Sequence, residues 1–147
     1  MIEVKDIHKA FGENEILKGI DATFQQGQTN LIIGMSGSGK TVFLKSLVGL
    51  HDIDQGEIIY DNRALGVLNN KERKALRTEM GMVFQGNALF DSLTIEENVT
   101  FALSMFSGMS LSEKRDRADF CLQRVNLPNV HKQFPSELSG GMQKRVA

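Results

Sequence analysis

Residues 2–7 alternate apolar and polar side chains, the period-two pattern of a strand with one buried face. Two shorter strand-like runs follow at 15–17 and 20–24, punctuated by Gly12, Gly19 and Gly27. Residues 29–33 (Thr-Asn-Leu-Ile-Ile) predict a fully buried strand that leads into a Gly/Ser loop at 34–39. Residues 40–50 predict a helix with Val42, Phe43, Leu44, Leu47 and Val48 as its apolar positions. A strand is expected at 56–60, a short, highly charged helix at 71–79, and an apolar strand at 80–84 that ends at Gln85.

Beyond Gln85 the period becomes helical. Thr94 and Glu97 have the spacing of a capping box, and Ile95, Val99, Leu103 and Phe106 follow on one face. Ser110 and Glu113 repeat the signal, with Leu111, Ala118, Leu122 and Val125 as the stripe and Pro128 ending the run. The pattern therefore predicts an α/β core over residues 1–85 and a helical subdomain over 86–147, with no repeats or long linkers.

Composition narrows the classes. The chain has 147 residues, 41% apolar and 24% charged, enough for one packed domain with a small appended subdomain. Seventeen basic and eighteen acidic residues give a net charge of -1, against the basic face that nucleic-acid binding calls for. The single cysteine, Cys121, has no internal partner and fits a reducing compartment. No apolar run approaches the ~20 residues that span a bilayer, and the first residues do not read as a signal peptide. A membrane role would go through partners.

Gly34-Met35-Ser36-Gly37-Ser38-Gly39-Lys40-Thr41 matches the P-loop pattern, with a buried strand expected before it and a helix after it. Glycines let the backbone curl so that its N–H groups converge on phosphate, and the following helix offers its positive end. In this reading Lys40 reaches the β- and γ-phosphates, and the Thr41 hydroxyl ligates Mg²⁺. Kinases and ATPases both satisfy it.

Leu138-Ser139-Gly140-Gly141-Met142-Gln143-Lys144-Arg145 narrows the choice, because it resembles the signature sequence of ATP-binding cassette (ABC) ATPases. Ser139 is a good N-cap, and Gly140 and Gly141 allow a phosphate close to a helix end. Met142 stands where many members of the family carry glutamine. The resemblance implies an α/β P-loop NTPase core with an N-terminal antiparallel β subdomain and a helical subdomain. It implies ATP and Mg²⁺ as ligands, held by residues Gly34 to Thr41 and Val42, and by Ser139, Gly140 and Gly141 of a second copy in a head-to-tail sandwich dimer. It makes Gln85 the glutamine that touches Mg²⁺ or the attacking water, and Phe11 the aromatic that stacks on adenine. It also implies an integral membrane permease as partner, and hence a cytoplasmic protein on the inner face of the membrane.

Residues 84–99 together with Gly140 to Arg145 look like the ABC ATPases of bacterial phospholipid trafficking, which work with MCE-type lipid-binding proteins. Residues 86–93 would then flank the groove for the permease's coupling helix. The family's carboxylate-bearing strand and switch histidine have no counterpart among these 147 residues, since neither Asp52 nor Asp61 ends a run of four apolar residues. The expectation is a chain that binds nucleotide without efficient hydrolysis, and an apolar edge at 29–33 open to self-association. The alternatives are a soluble ABC protein of translation or repair, and a nucleotide-binding fragment without catalysis. His8, His51 and His131 lack metal-ligand spacing, and Cys121 reads as packing.

Overall fold

The computed structural model describes residues 1–147, which divide into two compact units, Met1–Gly81 and Met82–Ala147. In the first unit, strand β1 (Ile2–Phe11) turns tightly into β2 (Asn14–Phe24), and β3 (Gln55–Tyr60) and the two-residue β4 (Arg63–Ala64) complete an antiparallel sheet of order β2-β1-β3-β4. The two short runs expected at 15–17 and 20–24 form one strand, because Gly19, at φ 72°, lets the chain pass through without breaking. Val4 and Ile7 are both buried in the core although three residues apart, a spacing that a regular strand would send to opposite faces.

One irregularity marks the centre of β1. The pairing shifts between Val4 and Ile7 on one side and between Lys5 and His8 on the other, and Asp6 sits at φ 47°. The Asp6 amide donates to Asp21 Oδ1 at 3.0 Å instead of joining a ladder. Gly56 opposite has φ 89°, and a Cβ there would fall 2.2 Å from the Asp6 carbonyl oxygen. Only glycine lets the bulge seat against β3.

Helix α1 (Lys40–Leu47) packs Phe43 and Leu47 onto this sheet, beside Leu17, Ile58 and Tyr60. It ends earlier than the expected helix, at Leu47, because Gly49 takes φ 67° and the Leu50 amide turns back to Lys45 O. The Tyr60 hydroxyl reaches the end of this helix and donates to Leu47 O at 2.6 Å. Burial holds that phenol up at about 12, so it is a donor at any ordinary pH. Helix α2 (Asn70–Thr78) begins with a full capping box, Asn69 and Glu72 each bonding the other's backbone amide, and buries Leu76 in the same core.

Two expected strands do not form. Neither 29–33 nor 80–84 has strand structure, and Leu31, Ile33 and Val83 are 84%, 81% and 66% exposed. Their apolar composition encodes two covered faces, while a strand also needs a hydrogen-bonding neighbour on at least one edge. No segment of this four-stranded sheet pairs with either one. The open apolar surface is thus a row of side chains and not a strand edge.

In the second unit, α3 (Ile95–Phe106), α4 (Leu111–Arg124) and α5 (Gly140–Val146) surround a core of Ile95, Leu122, Leu127, Val130 and Leu138. The boxes predicted at Thr94/Glu97 and Ser110/Glu113 are both present. Leu111, expected in the α4 stripe, is instead 85% exposed at the first turn, where no partner element covers it. No helix is long and apolar enough to cross a membrane.

Candidate functional site

The first unit carries the phosphate loop and the aromatic. Residues 36–39 form a turn and a bend that deliver the chain into α1, whose N-cap, Gly39, has φ 90° and no side-chain cap. A Cβ on Gly39 would lie 2.9 Å from Ile16 Cγ2, so the helix start is pressed against β2 where no side chain fits. An α-helix leaves its first amides without intrahelical partners, and here no side chain takes them. Lys40 folds its side chain back over the loop, donating to Gly34 O at 2.8 Å and Met35 O at 2.6 Å.

Ser36, Gly37, Ser38 and Thr41 are exposed, and Val42 is half-buried. This arrangement fits a triphosphate on three counts. Its backbone is free of Cβ atoms at the helix start, its first-turn N–H groups have no side-chain acceptor, and its cation is already inside the curl. Thr41 has an accessible hydroxyl of the kind that can ligate Mg²⁺.

Phe11 closes β1 at the hairpin turn and is 46% exposed. Its ring meets the His51 ring edge-on at 5.5 Å, and the Lys9 ammonium stands 5.5 Å from its centroid. Lys9 is fixed in turn by Asp54, at 2.6 Å. The second Asp54 oxygen accepts from the Ala10 amide at 2.7 Å, and the Asp54 amide donates to His8 O at 2.9 Å. The Lys9 ammonium, followed by the Ala10 N–H, holds the Asp54 carboxyl below the usual carboxylate range.

Sequence reasoning gave Lys9 and Asp54 no role and read His51 only as lacking metal-ligand spacing. They lie on β1 and on the turn before β3, and only the antiparallel pairing of those strands brings them together.

The second unit carries the other candidates. Gln85 is exposed in a turn, followed by Asn87 and Ala88 at φ 63° and φ 55°. Asn98 of α3 secures the segment beyond them. Its Oδ1 accepts from the Phe90 amide at 2.8 Å, and its Nδ2 donates to the carbonyls of Phe90, Leu93 and Thr94 at 3.0–3.1 Å. Ser139 caps α5, its hydroxyl accepting from the Met142 amide at 3.3 Å, and Gly140 and Gly141 leave that helix end open to solvent.

Gln143 ties this helix to the loop after Gln85 by accepting from Asn87 Nδ2 at 3.3 Å. A groove lined by Phe84, Leu89, Phe90, Val99, Phe101 and Leu122 runs beside the same loop. Phe11, Lys40 and the loop belong to one unit, and Gln85, Ser139, Gly140 and Gly141 to the other.

The two units together hold the parts of a nucleotide-binding cassette. Residues 17–147 match the ABC transporter family. The chain is 43% identical, over its whole length, to Protein TRIGALACTOSYLDIACYLGLYCEROL 3, chloroplastic, of Arabidopsis thaliana, and covers 42% of that protein. It is 41% identical to the glutamine transport ATP-binding protein GlnQ of Escherichia coli, covering all of this chain and 61% of that one.

Among solved structures, the dimeric bacterial ABC transporter cassette MJ0796 superposes with a TM-score of 0.89 at 34% identity, over 99% of this chain and 66% of that one. The post-hydrolysis state of the same cassette, bound to ADP and Pi, gives 0.87. The chain belongs to the ABC transporter family, whose members bind ATP and couple its hydrolysis to transport. It spans less than half the length of the Arabidopsis relative it matches.

Proposed function

We propose that residues 1–147 form the nucleotide-holding part of a subunit that powers an ABC membrane transporter. The observation that carries this reading is the phosphate loop itself, an uncapped helix start pressed on β2 with the Lys40 ammonium folded into the curl. Loop amides and Lys40 hold the β- and γ-phosphates, the Thr41 hydroxyl takes Mg²⁺, and the face of Phe11 takes the adenine. Bound ATP supplies the phosphoanhydride whose cleavage drives transport. Ser139, Gly140 and Gly141 of a second copy complete the pocket head to tail, and Gln85 faces the metal or the attacking water. The dimeric cassette MJ0796 supports that arrangement.

Neither Asp52 nor Asp61 is free to act as the general base. Asp52 pairs with Arg73 at 2.8 Å, and Asp61 pairs with the terminal amine at 2.5 Å. In this reading the 147-residue chain binds Mg²⁺-ATP without efficient turnover. Titration calorimetry with ATP on the chain and on Lys40→Ala tests the reading. Binding lost in the variant supports it, and binding unaffected by the substitution, or sustained turnover that depends on Lys40, sinks it.

In this reading the permease coupling helix docks in the groove beside residues 86–93, and the protein works at the cytoplasmic face of a membrane. For cargo we favour lipid trafficking with an MCE-type partner. The support is the likeness of residues 84–99 of this chain to that group and the 43% identity to a relative named for trigalactosyldiacylglycerol. A relative named for glutamine transport keeps amino-acid import as the competing reading. Co-purification with its permease and the lipids retained there decides between them.

A further inference from the structure

The base-stacking aromatic of the reading above has a support that the reading does not use. Phe11 stands at the end of a strand, next to a tight turn, with nearly half its surface in water. A ring in that position would ordinarily sample several rotamers and would lose that freedom on stacking against a base. Here three groups restrict it. His51 abuts its edge, the Lys9 ammonium stands by the ring, and Asp54 fixes both Lys9 and the amide of Ala10, the residue just before the ring.

We propose that Asp54 is a positioning residue for nucleobase recognition. By holding Lys9 and the Ala10 amide, it orients Phe11 with an open face toward a purine. This rests on the reading of Phe11 as the adenine contact.

The geometry explains how a carboxylate that need not touch ligand can set affinity. Lys9 is only 15% exposed at its side chain, so its ammonium is held near the ring and does not wander in solvent. A cation fixed near one side of an aromatic ring leaves another side for a base, and preorganisation lowers the entropy cost of stacking. Phenylalanine has no hydroxyl, so the contact can come only from ring position. The effect is confined to the base end, because the phosphates are held by residues 34–41.

The test compares ATP with tripolyphosphate, which carries the phosphates and no base. Calorimetric titrations with Mg²⁺ present use the 147-residue chain, Asp54→Ala, Asp54→Asn, Phe11→Ala and the Asp54→Ala/Phe11→Ala double variant. Asp54→Ala is expected to weaken ATP about three- to ten-fold, the size of a partly lost stacking contact, with tripolyphosphate unchanged. The double variant should be no weaker than Phe11→Ala alone, since both substitutions remove the same contact. Asp54→Asn can still accept from the Ala10 amide but no longer neutralises Lys9, and should fall in between; it also carries the test if Asp54→Ala fails to fold.

Full ATP affinity in a folded Asp54 variant, with loss in Phe11→Ala, overturns the role of Asp54 and leaves the Phe11 reading standing. Additive losses in the double variant, or equal losses for tripolyphosphate, also overturn it. No loss in Phe11→Ala, or no preference of the parent chain for ATP over tripolyphosphate, removes the Phe11 reading and the proposal with it.

Discussion

The ammonium of Lys40 donates to the carbonyl oxygen of Gly34, six residues behind it, so the phosphate loop is closed by the side chain that would meet phosphate. The loop's shape and its charge are therefore set by one residue. Lys40→Ala removes both, and ATP affinity should fall at least about ten-fold, since charge-assisted bonds of this type are worth roughly 1.5–3 kcal/mol each. The loop is exposed, so the melting temperature should barely move. Calorimetric titration beside a thermal melt separates the two effects.

Tyr60 links the sheet to the end of the phosphate-loop helix through its bond to Leu47 O. Tyr60→Phe leaves that carbonyl short of a partner in a buried place, at a cost of about 1–2 kcal/mol. A drop of a few degrees in the thermal midpoint is expected, read by circular dichroism at 222 nm. An unchanged midpoint would mean that water replaces the bond.

His8 lies between Glu15 Oε1 at 2.9 Å and Asp6 Oδ1 at 3.2 Å, at the bulge of β1. The hydrogen bond its ring donates to Glu15, then that to Asp6, raises its pKa above 6.5. A raised folded pKa means stability that is fully present below the unfolded value and lost as pH rises through the folded one. Melting curves of the chain and His8→Gln should thus differ most on the acid side of neutrality and converge in mild alkali. A difference that grows with rising pH would contradict the assignment.

Asn98 anchors residues 90–94 through four hydrogen bonds from one side chain. Asn98→Ala strips all four, and the Phe90 amide should exchange with solvent roughly ten-fold faster or more, given about 1–3 kcal/mol for the groups left without partners. Hydrogen exchange followed by mass spectrometry over peptides covering 86–94 measures this. The α4 peptides should be unaffected.

Much of this was legible in the sequence because it is locally encoded. Thr94 with Glu97 and Ser110 with Glu113 fix helix starts through contacts three residues apart, and Ser139 caps α5 by the same rule. Alternation in β1 locates Val4 on the buried face, but Ile7 joins it only through the bulge at Asp6. Pairing is different. Residues 29–33 and 80–84 have the composition of buried strands, yet a strand exists only beside another, and that information lies outside the segment. Asp54 was missed for the same reason, being joined to Lys9 and Ala10 by strand pairing and not by spacing. The P-loop and signature were readable as motifs, but the support beneath Phe11 became visible only in three dimensions.

The bare side chains of Leu31 and Ile33 have a thermal signature. Apolar contact strengthens on warming from the cold and fades on cooling. Contacts made through this row should therefore absorb heat as they form, so that a solution turbid at room temperature clears on ice. Sulfate, which is excluded from protein surfaces, should lower the concentration at which turbidity begins.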